Sequence, residues 1–92
     1  MAFDNIHNYY EKQVSNEIQK KVQANELENN EDFLGDIACV ALNKLPAHYV
    51  RHDVDMAFYM TAEEREEKAV KVKQAVIEAI DFVKEHQHSK TS

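Results

Sequence analysis

Asp36-Ile-Ala-Cys-Val-Ala-Leu-Asn-Lys-Leu-Pro-Ala-His-Tyr-Val-Arg-His-Asp-Val-Asp-Met-Ala-Phe-Tyr-Met60 is the stretch whose reading decides the fold. Its first third is apolar at almost every position, as a helix buried on most sides would be. Pro46 then disfavours the α conformation at Leu45 and ends that helix. From Val50 the period changes to two. Val50, Val54, Met56, Phe58 and Met60 fall on one face, and Tyr49, Arg51, Asp53, Asp55 and Tyr59 on the other, the alternation of an extended, half-buried segment. No second strand is evident. The segment is therefore either an irregular loop draped over the core or a strand paired with its own copy across a two-fold axis.

Upstream, Ile6, Tyr10, Val14, Ile18 and Val22 recur every four residues with Tyr9 beside them, and predict a first helix capped by Asp4 or Asn5 and closed near Ala24 and Leu27. Asn30 suits the N-cap of the second helix, with Glu31 and Asp32 at the positive end of its dipole. On that helix Asp36, Cys39 and Asn43 share the one narrow polar stripe. Cys39, on so apolar a helix, reads as a small core residue. Gly35 costs helix propensity, which suggests a closely packed neighbour. Downstream, Thr61-Ala-Glu-Glu64 has capping-box spacing and opens a third helix whose charged start, Glu63 to Lys68, should face solvent. Ala69, Val72, Val76, Ala79, Ile80 and Val83 form its core stripe. Val70 and Ile77 form a second stripe about 100° away, more apolar surface than one contact needs, which favours a dimer. Glu85 onward reads as a fraying polar tail.

Ninety-two residues with one proline and one glycine favour a single small all-α domain. The expectation is a bundle of three to four helices over the whole chain, ordered from about residue 4 to 85, with a short extended segment between the second and third helices. No apolar run reaches the roughly 20 residues that cross a bilayer, and the N-terminus is unlike a signal peptide, so a cytoplasmic protein is expected. The net charge of −6 argues against direct DNA binding, which needs basic side chains to neutralise phosphates. No glycine-rich phosphate loop or nucleophile motif points to an enzyme.

Within this acidic chain, cations, aromatics and carboxylates nevertheless gather between Asn43 and Tyr59: Asn43, Lys44, His48, Tyr49, Arg51, His52, Asp53, Asp55 and Tyr59. Arginine and lysine suit phosphate, arginine through two oxygens at once. Tyrosine faces suit base stacking. Carboxylates accept from a guanine edge. The bland alternatives are a packed Tyr49, a surface ion pair of Arg51 with Asp53 or Asp55, and Asn43 bonded to the turn after Pro46. His48 and His52 could share a metal on a helix, but Pro46 and the period-two pattern argue against a helix there.

The run from Asp36-Ile37-Ala38 through Ala41-Leu-Asn-Lys-Leu-Pro46-Ala-His-Tyr-Val50 resembles the ComFB family of late competence development proteins, and the continuation Arg51 to Glu67 is similar to its proteobacterial branch. The specific part covers about a third of the chain. The resemblance implies a small helical homodimer without enzymatic activity. It also implies a receptor for cyclic dinucleotides, cyclic di-GMP or cyclic di-AMP, that passes its state to a downstream regulatory protein. The other reading is a ligand-free helical module for protein–protein contact, linked to competence or motility. Some members bind zinc through cysteines before the second helix. Residues 29–33 contain none, so no zinc or other cofactor is expected. Ala47 replaces the second proline of the family pattern.

Overall fold

The computed structural model describes residues 6–52 and 59–91, with side chains described through His86. The elements run β1 (His7–Asn8), α1 (Tyr9–Gln23), α2 (Glu31–Lys44), β2 (Tyr49–Val50) and α3 (Ala62–Thr91). The three helices pack on one another around a wholly apolar core. The long dimension, 48 Å, is that of α3, whose 30 residues rise about 45 Å at 1.5 Å each.

Each helix begins and ends for a local reason. α1 starts at Tyr9, later than the apolar spacing predicts, because Asn8 is its N-cap and accepts the Tyr10 N–H at 3.2 Å. The predicted caps Asp4 and Asn5 lie outside the described residues, and Ile6, read as the start of the stripe, precedes the helix and is exposed. The C-terminus stops at Gln23 rather than near Leu27. Asn25 takes a left-handed φ of 61°, the Glu26 N–H reaches the Lys21 carbonyl at 2.9 Å, and the Asn25 N–H reaches that of Val22 at 3.0 Å. This is a Schellman closure with asparagine in the position glycine usually fills. Leu27, beyond it, folds back into the core.

Asn30 caps α2 as the sequence predicts, accepting the Phe33 N–H at 3.1 Å, and Leu45 before Pro46 is extended. α2 buries Phe33, Ile37 and Ala41; Leu34, Ala38, Val40 and Leu42 are half-buried along its flanks. Two expectations fail here. A Cβ on Gly35 would meet nothing within 4 Å, so no neighbour requires the glycine. Cys39 is exposed, not core, because it shares the polar stripe with Asp36 and Asn43, which faces away from both partner helices.

α3 is capped by Thr61, whose Oγ1 accepts the Glu64 N–H at 3.1 Å and donates to Glu64 Oε1 at 3.3 Å. Its core face is Val72, Ala75, Val76, Ala79 and Val83, with Ile80 half-buried. Ala69, assigned to that stripe from spacing, is exposed. Val70 and Ile77 are 56% and 51% exposed, an uncovered second stripe. The backbone stays helical to Thr91 where a fraying tail is predicted, since nothing after Glu85 breaks a helix and His86 Nδ1 lies 2.9 Å from the Phe82 carbonyl.

The extended segment finds its partner inside the chain. β2 pairs antiparallel with β1, His7 opposite Val50 and Asn8 opposite Tyr49. The ladder is two residues long because the β1 side ends where α1 begins. Arg51 is already in a bend and Tyr59 has helical backbone; Val54, Met56 and Phe58 of the predicted alternation lie outside the described residues.

Candidate functional site

β2 sorts its neighbours by face. Val50 turns into the protein and is buried, His48 is half-buried, and Tyr49 points out with 68% of its surface exposed. Arg51 and His52 follow on the exposed side, and Tyr59, 82% exposed, stands where the described chain resumes. Arg51 makes no ion pair among the described residues. Asp53 and Asp55 lie outside the described residues.

The other residues singled out from sequence are drawn elsewhere. Lys44 Nζ lies 3.7 Å from Glu78 Oε2, an α2–α3 surface pair with both partners well exposed, and so of small energetic value. Asn43 Nδ2 contacts Cys39 Sγ one turn back at 3.9 Å, not the turn after Pro46. A groove of about 420 Å³ between α1 and α3 is lined by Gln13, Asn16 and Lys20 with Ala69 and Lys73; none of the sequence-predicted residues reaches it. Among the described residues no group of three His, Cys, Asp or Glu side chains could hold a metal ion.

His48 belongs to a cluster that the sequence reading did not contain. Its carbonyl accepts the Tyr9 N–H at 2.6 Å and its N–H donates to Asn8 Oδ1 at 3.1 Å. Asn8 thus caps α1 and holds the approach to β2 with one oxygen. On the side-chain side, His48 Nδ1 lies 3.3 Å from Lys68 Nζ, which also sits 3.5 Å from the Tyr10 hydroxyl and over both the Tyr9 and Tyr10 rings. Lys68 is half-buried, contrary to the expectation that all of Glu63 to Lys68 faces solvent. A signal existed: stepping back four residues from Val72 along the core stripe lands on Lys68.

The architecture carries an exposed Tyr/Arg/His face on a strand clamped from behind by α1 and α3. The family model of the late competence development protein ComFB matches residues 7–87, which cover every element described above but the last four residues of α3. The chain belongs to the ComFB family. Comparison with curated proteins and with solved structures finds no match. ComFB membership ties the chain to competence development and accounts for the resemblance of the Asp36–Val50 run. Among the described residues, no helix is long and apolar enough to cross a membrane.

Proposed function

We propose that this ComFB-family chain is a cytoplasmic, non-enzymatic receptor for a cyclic dinucleotide, cyclic di-GMP or cyclic di-AMP, and that it works as a symmetric dimer which hands the bound state to a regulatory partner. The observation that carries the reading is Tyr49: a large aromatic left 68% exposed, two residues from the exposed Arg51, in a chain of net charge −6. Solvating a tyrosine ring forfeits burial that a small domain needs, so an exposed pair such as Tyr49 and Tyr59 suits surfaces that meet something else. Bases stack on such rings. Arg51 supplies the bidentate phosphate contact, with His52 as a further donor and Lys44 as another once it leaves its weak surface pair with Glu78, and Asp53 or Asp55 supplies carboxylate for a guanine edge. A two-fold dimer would present each residue twice to a ligand with its own two-fold symmetry.

Calorimetric titration with both nucleotides tests the reading. No heat and no thermal shift with either removes it. Where binding is seen, Arg51→Ala weakens it more than tenfold, which is at least about 1.4 kcal/mol; an unchanged affinity would place the site elsewhere. Sedimentation tests the dimer: a monomer at tens of micromolar defeats it. The second reading, a ligand-free protein-contact module, draws on the uncovered Val70 and Ile77 of α3 and on the enrichment of Tyr and Arg in interfaces. It stands if both titrations are silent and a protein partner shields these side chains.

A further inference from the structure

His48 and Lys68 are half-buried, whereas Tyr49, Arg51 and His52 beside them are exposed. Three bonds hold His48 from the inner side. Two are backbone bonds, to Tyr9 and to Asn8, and the third is the 3.3 Å contact between Nδ1 and Lys68 Nζ. The backbone continues directly from this anchored residue into Tyr49, Arg51 and His52. Lys68 is the one α3 residue among these contacts, so it is the side-chain tie between the longest helix and the strand.

The chemistry of that contact is one-sided. An ammonium has donors only, so Nδ1 bonds it only as an acceptor, which requires a neutral imidazole with its hydrogen on Nε2. The groups around the pair are Tyr9 and Tyr10 from α1, Lys68 from α3 and the neutral Asn8 from β1. Among the described residues no carboxylate contacts either partner. A proton on Nδ1 would therefore set two cations 3.3 Å apart with no opposite charge from the described residues beside them.

We propose that Lys68 is a positioning residue for the Tyr49–His52 face, acting through His48, and that proton uptake by His48 opens the clamp and loosens that face. The consequence for ligand affinity rests on the receptor reading above; the clamp itself does not. The sign separates the two. Positive charge gained near a phosphate-binding face would by simple attraction strengthen anion binding in acid, and His52 would add to it. Opening the clamp weakens binding in acid.

The experiment is amide hydrogen exchange of Tyr9, whose N–H bonds the His48 carbonyl, corrected for intrinsic rate, at about pH 8 and about pH 5.5, either side of the imidazole range. Wild type is compared with His48→Gln, whose amide oxygen accepts from Lys68 at either pH. Lys68→Met keeps the apolar stem without the donor, and Lys68→Arg restores a donor. Acidification should cost wild type about tenfold in Tyr9 protection, leave His48→Gln unchanged, and leave Lys68→Arg like wild type, with Lys68→Met poorly protected at both values. Protection that is independent of pH in wild type, or equally dependent on it in His48→Gln, overturns the proposal. So does an equal loss at the core amide of Val76, which marks global unfolding. In parallel, cyclic di-GMP and cyclic di-AMP are titrated at both pH values. Affinity that falls in acid for wild type but not for His48→Gln supports the clamp, and affinity that rises in acid for wild type overturns its link to binding. If neither nucleotide binds at either pH, the receptor reading falls and the exchange result alone decides the clamp.

Discussion

Asn8 is the residue on which two parts of the fold depend through one oxygen atom. Its Oδ1 accepts the Tyr10 N–H at 3.2 Å, capping α1, and the His48 N–H at 3.1 Å, fixing the chain that leads into β2. Asn8→Ala removes that acceptor and with it both bonds. Loss of an N-cap costs about 1 kcal/mol. Leaving the half-buried His48 N–H unpaired costs about another 1 kcal/mol. In a domain of this size each kcal/mol lowers Tm by about 4–8 °C, so the variant should melt roughly 8–16 °C below wild type. The control is Asn30→Ala, which removes a cap: among the described residues Asn30 Oδ1 accepts only from Phe33, so about half that loss is expected. Asn8→Asp keeps the acceptor and adds a charge that suits the positive end of α1, and should lie near wild type. Thermal and urea unfolding followed by circular dichroism measures all three. If Asn8→Ala is no more costly than Asn30→Ala, the link to His48 carries no stability, and the account of how β2 is held is wrong.

Gly35→Ala should stabilise the protein by about 1 kcal/mol, since the position is helical and the added methyl meets open space; a loss of stability would reveal a neighbour the fold does not contain. Ile37→Ala, at a fully buried site, should cost about 2–5 kcal/mol in urea unfolding, whereas Ile77→Ala should cost under about 0.5 kcal/mol. A large, concentration-dependent loss for Ile77→Ala would instead show that a second copy covers that stripe. Cys39 should react with a thiol reagent in the native protein as fast as a free cysteine does, and a reaction seen only after unfolding would return it to the core.

Periodicity carried the helices because it is a local signal. Tyr10, Val14 and Ile18 are buried at the predicted spacing, Phe33, Ile37 and Ala41 fill the helix read as most apolar, and Asn30 and Thr61 cap where their side chains can reach back one turn. Errors arose where a residue's partner is distant in sequence. Asn8 lies just beyond the predicted caps Asp4 and Asn5, and its second bond joins it to a residue 40 positions away. Lys68 looked solvated amid charged neighbours, although the helical wheel places it in line with Val72. Gly35 and Cys39 were assigned neighbours by composition, but a helix in a three-helix packing touches partners on only part of its circumference, and both lie on the remainder.

The candidate site divides in the same way. Among the site candidates, the exposure of Tyr49 and Arg51 was legible, because alternation beside Pro46 needs only local geometry, and the family run Asp36–Val50 was readable letter by letter. Which of them share a surface was not. His48 turns inward to Lys68, Lys44 leans to Glu78 and Asn43 stays on the back of α2. The sequence by itself determined the helices, the caps of α2 and α3, the break at Pro46 and the family, since each depends on side chains within about one helical turn or on a contiguous motif. Only the tertiary structure decided that β2 pairs with His7–Asn8 and that α3 clamps it from behind. Those contacts join residues 20 to more than 40 positions apart, and burial against a partner element has no signature in the spacing of either one alone.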